Sequence, residues 1–407
     1  MTTRSVTSVA SALFAFLAMV FLLVPIQDAE AIPPFARKYD MSCGSCHQGH
    51  FPRLNEFGRR FRENGYQLPE GAEAPARARR SVEGTGIKER MTVFKEVPLS
   101  FRGQLFGVVP VEPGEGPAFQ NSVFSMINGG GAVAKDISFY FTWTPFPEPS
   151  LHQMKVGFHN LFRKTLGEGT LNVRVGRFFL LDFQRPSHRF LSPGVTAVSN
   201  VSVGSNSFTF AEANDGVVFY GRPGWGPFHY EIAVVNGQST EGSDIDSRKD
   251  VFARATYTAF QNSTNQLTLG LLMYQGRSDI TKELGDVILA QRDNFQIYGA
   301  ELDADMGPTN LFVMVYQSRH SDPNNDGEPV SFQAYRAELA YFPNRRITTS
   351  VRFDGVASKD DESLDKLELG PHITYTAASN VLTTLAWRQD LATPTKSSLV
   401  GSVDVVF

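Results

Sequence analysis

The residues best suited to chemistry lie together in "MSCGSCHQGH", residues 41–50, which holds both cysteines of the 407-residue chain, Cys43 and Cys46, with His47 directly after the second. In an oxidising compartment a lone cysteine pair can form a disulfide. A structural zinc site needs four ligands at paired spacings, and no second cysteine pair exists to supply them. Cys-x-x-Cys-His reads instead as a c-type haem attachment site, in which the thiols add to the haem vinyl groups and the histidine ligates the iron. The adjacent His47 and the absence of a left-over cysteine favour this use. One covalent haem c, held by Cys43, Cys46 and His47, is therefore the expected cofactor. The motif does not give the sixth iron ligand. Met41 and His50 are close in sequence, Met91 lies far enough along to fold back over the opposite haem face, and an open position is the remaining option.

Something must hold these groups in place. In residues 51–64, "FPRLNEFGRRFREN", Phe51, Leu54, Phe57 and Phe61 recur at spacings of three and four, with Pro52 near the start and Asn64-Gly65 at the end. That pattern predicts a short amphipathic helix whose aromatic face forms a small core and a wall for the haem. The stretch up to about Val97 is small enough to need a cofactor as support. Its bases exceed its acids by roughly four charges, Arg53, Arg59, Arg60, Arg62, Arg77, Arg79 and Arg80 among them, enough to pair with haem propionates or to form a solvated face.

Upstream, Arg4 precedes an apolar run from Val9 to Ile26 and then Ala29-Glu30-Ala31, a small-x-small cleavage site. This reads as a cleaved secretory signal peptide over 1–31; a membrane anchor lacks the basic stop-transfer flank it would need. The expected organisation is a signal peptide (1–31), a monohaem cytochrome c module (32–96) and a larger third part (97–407).

In that third part cysteine is absent and side chains alternate strictly. In "KDISFYFTWT" Ile137, Phe139, Phe141 and Trp143 alternate with Ser138, Tyr140 and Thr142; in "SFQAYRAELAYF" Tyr335, Ala337, Leu339 and Tyr341 alternate with Ala334, Arg336 and Glu338. A soluble β-sandwich alternates too. Here, though, the segments are about ten residues long, their apolar faces end in aromatics, and short turns ("SN", "PNR") alternate with long loops at 185–206, 240–250, 277–293 and 320–330. The last strand alternates Leu399, Val403, Val405 and Phe407, and a terminal aromatic resembles the signal by which bacterial outer-membrane barrels are recognised for insertion. The fold class expected is an all-β transmembrane barrel of about sixteen antiparallel strands in the outer membrane, with a small α-helical haem module at its N-terminus. An even strand count puts both barrel ends on the periplasmic side. A module of about sixty residues, roughly 25 Å across, matches the lumen of such a barrel and would plug it. Arg102, Arg174, Arg177, Arg254 and Arg336 face the lumen as candidates to hold the plug or as ordinary pore lining.

With haem motif and barrel both in view, the chain resembles the fused cytochrome-porin family of outer-membrane proteins, best known from iron-oxidising bacteria. The matching stretch is "IPPFARKYDMSCGSCHQGHFPRLNEFGRRFRENGY", above all "PFAR", Cys-x-x-Cys-His, "LNEFGRRF" and "NGY"; over the barrel the likeness is one of architecture. The resemblance implies electron transfer across the outer membrane by one haem in or below a porin. It also implies an extracellular donor, ferrous iron in the iron-oxidising members, and a periplasmic carrier such as a soluble cytochrome. Those members carry Gln-Thr-Gly after "FAR" where this chain has Lys38-Tyr39-Asp40, a departure that weakens the case for ferrous iron and leaves the haem role untouched.

Other leads are thinner. "DPNNDG" places Asp322, Asn324, Asp326 and Gly327 as in a calcium loop, but Gln333 stands where the bidentate Glu belongs. Acidic "SKDDESLD" reads as a solvated loop. A passive solute channel with a haem-bearing plug or sensor is the alternative function. A lipase-type enzyme would need a Ser–His pair on the barrel exterior, and His152, His159, His188, His229, His320 and His372 show no spacing that singles out a partner. The chain's net charge is −4, and no nucleic-acid partner is expected.

Overall fold

The computed structural model describes residues 34–39, 41–49, 51, 53–68, 99–110, 124–145, 148–181, 196–237, 248–284, 287–378, 380–392 and 397–406. Beyond residue 98 they form one antiparallel meander. It begins with β1 (Leu99–Pro110), β2 (Phe124–Ala134), β3 (Ile137–Thr144), β4 (Ser150–Phe158) and β5 (Asn172–Phe179). It continues through β6 (Ala213–Gly221), β7 (Phe228–Val235), β8 (Asp250–Gln261), β9 (Asn265–Leu284) and β10 (Val287–Met306). It ends with β11 (Thr309–His320), β12 (Val330–Tyr341), β13 (Ile347–Ser358), β14 (Lys366–Ala378), β15 (Val381–Asp390) and β16 (Ser397–Val406). β16 returns to β1, from Arg102 opposite Val406 to Pro110 opposite Ser398. The sheet is thus a closed barrel of sixteen strands, the number the alternation predicts.

Alternation becomes two surfaces. On β11 Phe312, Met314, Tyr316 and Ser318 point into the barrel and are buried, while Val315 points out and is exposed. Leu269, Leu271 and Met273 on β9 and Leu339 on β12 likewise face outward, the lipid-facing belt of a membrane barrel. Tyr257 and Phe260 on β8, Phe228 at the start of β7 and Tyr341 at the end of β12 cluster outward at the rim of short turns, where an aromatic girdle meets the membrane interface. Arginines line the interior, paired along the wall: Arg102 with Asp404, Arg254 with Glu301, Arg336 with Glu338 and Arg352 with Asp354.

The rims differ as expected, with one correction. Residues 277–293 are not a loop: β9 and β10 run on, with Arg277 opposite Asn294 and Leu284 opposite Val287. The connection from β5 to β6 bends into the lumen. There the Ala197 amide donates to Asp354 Oδ1 (2.7 Å), Tyr316 donates its hydroxyl proton to the Val198 carbonyl (2.6 Å), and Asn206 Nδ2 donates to Asp293 Oδ2 (2.7 Å). Phe208 and Phe210 pack on the inward rings of Tyr274 and Tyr316, with centroids 4.4 and 5.8 Å apart. This inward segment occupies part of the long-loop half of the lumen.

Because Leu271 faces lipid, Leu271→Arg is expected to destabilise the vesicle-embedded barrel by about 2–4 kcal/mol in denaturant titrations. The same substitution at outward Gln275, nearer the membrane surface, is expected to cost about 0–1 kcal/mol.

Candidate cofactor-attachment site in the barrel mouth

Cys43 and Cys46 both sit on a one-turn helix, α2 (Cys43–Cys46), which follows α1 (Pro34–Tyr39). They are half-buried separate thiols, not a disulfide. Burial pushes both thiols upward, Cys46 further through the neighbouring Cys43, so both are protonated at neutral pH. Beside them a Cβ on Gly44 would meet only open space. At His47 the chain leaves the helix, turns extended and bridges to Leu54. Its ring Nδ1 lies 3.2 Å from the Arg53 carbonyl. A carbonyl only accepts, so Nδ1 carries a proton, and in the neutral ring Nε2 is then the nitrogen with the lone pair, as an iron-ligating histidine needs. Two thiols one helical turn apart, beside open space, with a correctly tautomerised imidazole following, fit a c-type haem.

A third helix, α3 (Glu56–Glu63), clamps this segment. It is shorter than the helix the 51–64 spacing predicts. Asn55 is extended and caps α3 by accepting from the Gly58 amide (2.9 Å), and Leu54 pairs with His47, so Phe51 and Leu54 lie outside the helix. Asn55 also donates its backbone N–H to the Cys46 carbonyl (2.9 Å) and its side-chain Nδ2 to the Ser45 carbonyl (3.1 Å). Gly58 lies against that same Cys46 carbonyl, so closely that a Cβ would overlap it. Phe61 is buried, and Phe35 and Tyr39 from α1 meet it edge-on at 5.4 and 5.5 Å. Tyr66 stacks on Phe35 at 4.8 Å. The "PFAR", "LNEFGRRF" and "NGY" stretches are thus one small aromatic core.

The core sits inside the short-turn mouth of the barrel, held by inward-facing wall residues. Arg53, wholly buried, donates from Nη2 to Asp305 Oδ1 near the end of β10 (2.9 Å). Arg59 donates to Gln266 Oε1 at the start of β9 (3.1 Å). Glu63 pairs with Arg222 just beyond β6 (3.1 Å), and Tyr66 stacks at 5.8 Å on Tyr140 of β3. Gly65, at φ +69°, packs against the His159 ring so closely that a side chain would overlap it. None of Arg53, Glu63, Gly65 or His159 was singled out by sequence as a seating residue. Of the five arginines expected in the lumen, Arg102, Arg254 and Arg336 pair with carboxylates of the wall and Arg174 lies over the Tyr220 ring at 4.6 Å, but Arg177 is a correction: three residues after inward Arg174, it lies opposite outward Met154 on the face of exposed Val175 and pairs there with Asp215. The seat is made in both directions, by Arg53 and Arg59 of the module on wall acceptors and by Arg222 of the barrel on Glu63.

Two titrating groups make the seat pH-sensitive. Burial would raise Glu63, but His229 and Arg222 outweigh it and hold its carboxyl down at about 2. Burial, reinforced by Arg174, lowers His159 to about 4, so its ring is neutral, 2.7 Å from the Ser138 hydroxyl and 3.2 Å from that of Tyr220.

Of the sixth-ligand candidates, Met41 is half-buried, while His50 and Met91 lie outside the described residues, as do the signal sequence and Phe407. The "DPNNDG" loop is a capped turn: Asp322 Oδ1 accepts from the Asp326 and Gly327 amides at 2.9 and 3.0 Å. Among the described residues no cluster of three or more His, Cys, Asp or Glu is arranged for a metal ion. Ser318 and His320 do meet (3.0 Å), with Asp293 on the other ring nitrogen (2.6 Å), but the group faces the lumen, buried under the inward loop, and Asp293 also holds that loop through Asn206. It is a clasp.

No family model and no curated protein matches the sequence. Solved structures do match. A loop-deleted OmpT, an outer membrane protein of Vibrio cholerae, is 11% identical at a TM-score of 0.52, covering 76% of this chain and 99% of that one. The anion-selective porin from Comamonas acidovorans is 13% identical at 0.52, covering 76% and 99%. OmpF of Salmonella typhi, in complex with daunomycin, is 11% identical at 0.52, covering 76% and 97%. The fold is that of the outer-membrane porins, a closed sixteen-stranded antiparallel barrel. In this chain the short-turn mouth is occupied by a helical segment bearing Cys-x-x-Cys-His.

Glu63→Gln is expected to loosen the seat by on the order of 3 kcal/mol, because it leaves Arg222 buried without its counter-charge, and Gly65→Ala to loosen it through overlap with His159. Both would show as faster amide hydrogen exchange over residues 43–66 with the barrel strands unchanged. Acid acts in two windows. His159 is lowered from its ordinary 6.5, so its contribution is complete above about 6.5 and lost as pH falls towards 4. Glu63 is lowered from its ordinary 4.5, so its contribution holds above about 4.5 and is lost towards 2. Between pH 6.5 and 4.5, loosening corrected for intrinsic exchange is expected to be smaller in His159→Gln than in the native protein, the difference being the contribution of His159.

Proposed function

We propose that this protein is an outer-membrane electron-transfer porin, a barrel carrying one covalent haem c on the module in its periplasmic mouth. The observation that carries the reading is His47, its Nδ1 tied to the Arg53 carbonyl, in a segment whose Arg53 side chain is buried against Asp305 of the wall. A haem there supplies a one-electron ferric/ferrous couple. The chain's own residues do the rest. Cys43 and Cys46 would hold the haem by thioether bonds, each thiol having added across a vinyl double bond, and His47 would offer Nε2 to the iron. Asn55 and Gly58 hold the attachment helix against α3, while Arg53 and Glu63 fix the module to the wall. No side chain makes or breaks a substrate bond in this scheme, so no acid–base pair is required. The electron enters from an extracellular donor, with ferrous iron as candidate substrate, and leaves to a soluble periplasmic cytochrome.

A second reading has its own support. The likeness to solved porins and the inward loop of residues 196–212 suit a solute channel whose haem-bearing module is a plug or sensor.

The visible spectrum of the detergent-purified, oxidised protein separates the two. Haem bands that survive denaturation, and reduction within seconds of adding ferrous iron at neutral pH, are expected for an iron-linked conduit. Reduction by dithionite alone points to another donor. No covalent haem, or a haem silent to outside donors together with high bilayer conductance, contradicts electron transfer. Cys43→Ala with Cys46→Ala is expected to abolish covalent attachment and leave the barrel folded.

A further inference from the structure

Up the outer wall of β9, β10 and β11 the outward side chains change in order. Leu271, Met273, Tyr298 and Val315 are apolar and exposed. Immediately above them, towards the long-loop rim, come the amides of Gln275 and Gln296, which lie opposite one another, with Arg319 opposite Gln296. One row higher are Arg277 and, from the start of the neighbouring strand, Lys249. A recess of about 420 Å³ opens among these residues. Arg292 joins the same face, 3.6 Å from Asp279, which also pairs with Arg277 at 3.0 Å. Among the described residues, Lys249, Arg277, Arg292 and Arg319 thus share this face with Asp279, and Arg248 and Asp250 also line the recess, at the height where the lipid-facing belt ends. Neither a redox module at the opposite mouth nor solute passage through the lumen has a use for cations on the outside of the wall.

We propose that this recess binds the headgroup of a phosphorylated glycolipid of the outer leaflet. The acyl chains would lie against Leu271, Met273 and Val315, the amides of Gln275 and Gln296 would hydrogen-bond sugar hydroxyls, and Arg319, Arg277 and Lys249 would take phosphate oxygens at two levels. Guanidinium forks match phosphate bidentately, and two cation rows suit a headgroup with more than one phosphate. The proposal rests on the outer-membrane placement of the barrel and is independent of the haem.

The test uses the full-length protein in detergent, with native mass spectrometry counting bound lipid. Diphosphorylated lipid A is expected to stay bound, and Arg319→Gln to weaken it about tenfold, with Arg319→Lys retaining most of the affinity. Heat-shifted gel mobility verifies that each variant is folded. Equal binding of dephosphorylated lipid A, equal binding of phosphatidylglycerol, or an undiminished Arg319→Gln complex overturns the proposal. Inorganic phosphate competing at comparable concentration also overturns it, by reducing the recess to a free-anion site. Lipid A binding with no haem bands in the spectrum would leave this site standing and the electron-transfer reading fallen.

Discussion

Hydrocarbon cannot hydrate a peptide group, so a sheet that crosses a membrane must leave no edge. In this chain that demand is met where β16 pairs with β1 across nine residues, Arg102 to Pro110. Closure separates an outside that meets lipid from an inside that does not, and the two-residue period of a strand sends alternate side chains to each. The outward belt of Leu, Val, Met and Tyr and the inward row of arginines and carboxylates follow from that single constraint. So does the need to fill a lumen that sixteen strands leave open.

The lumen is filled from both ends by different chemistry. At the long-loop end, Phe208 and Phe210 enter as an apolar wedge against Tyr274, Phe295 and Tyr316, with polar clasps at Asp293 and Asp354. At the short-turn end the filling is the helical module, and its contacts are charged: Arg53 to Asp305 and Glu63 to Arg222. An ion pair removed from water is costly unless its geometry is good, and neither partner tolerates loss of the other. Such contacts give one orientation of the module in the mouth, which is what a cofactor needs if its distance to a partner is to be fixed.

The barrel was legible because its physics is local: alternation on β3, β12 and β16 needs only neighbouring residues to be recognised. The Cys-x-x-Cys-His motif was legible for the same reason. What escaped the sequence depends on distant pairing. Residues 277–293 read as a loop because the stretch shows no strict alternation and has Gly285-Asp286 at its centre, whereas β9 and β10 keep their register from Arg277 opposite Asn294 to Leu284 opposite Val287. The helix expected over 51–64 begins only at Glu56, because Asn55 is used as a cap and Leu54 bridges to His47. Arg53 looked like any basic residue until Asp305, far along the chain, was seen beside it. The inward turn of the β5–β6 connection has no local signature at all, since Asp354 and Tyr316 that hold it lie on distant strands.

The central claim is that an iron-bearing group sits at His47 inside the short-turn mouth. Anomalous diffraction from crystals of the exported protein, collected at the iron absorption edge, tests this most directly. The account predicts one iron peak at bonding distance from His47 Nε2, within the ring of short turns. No iron peak, or iron bound elsewhere on the barrel, would contradict it.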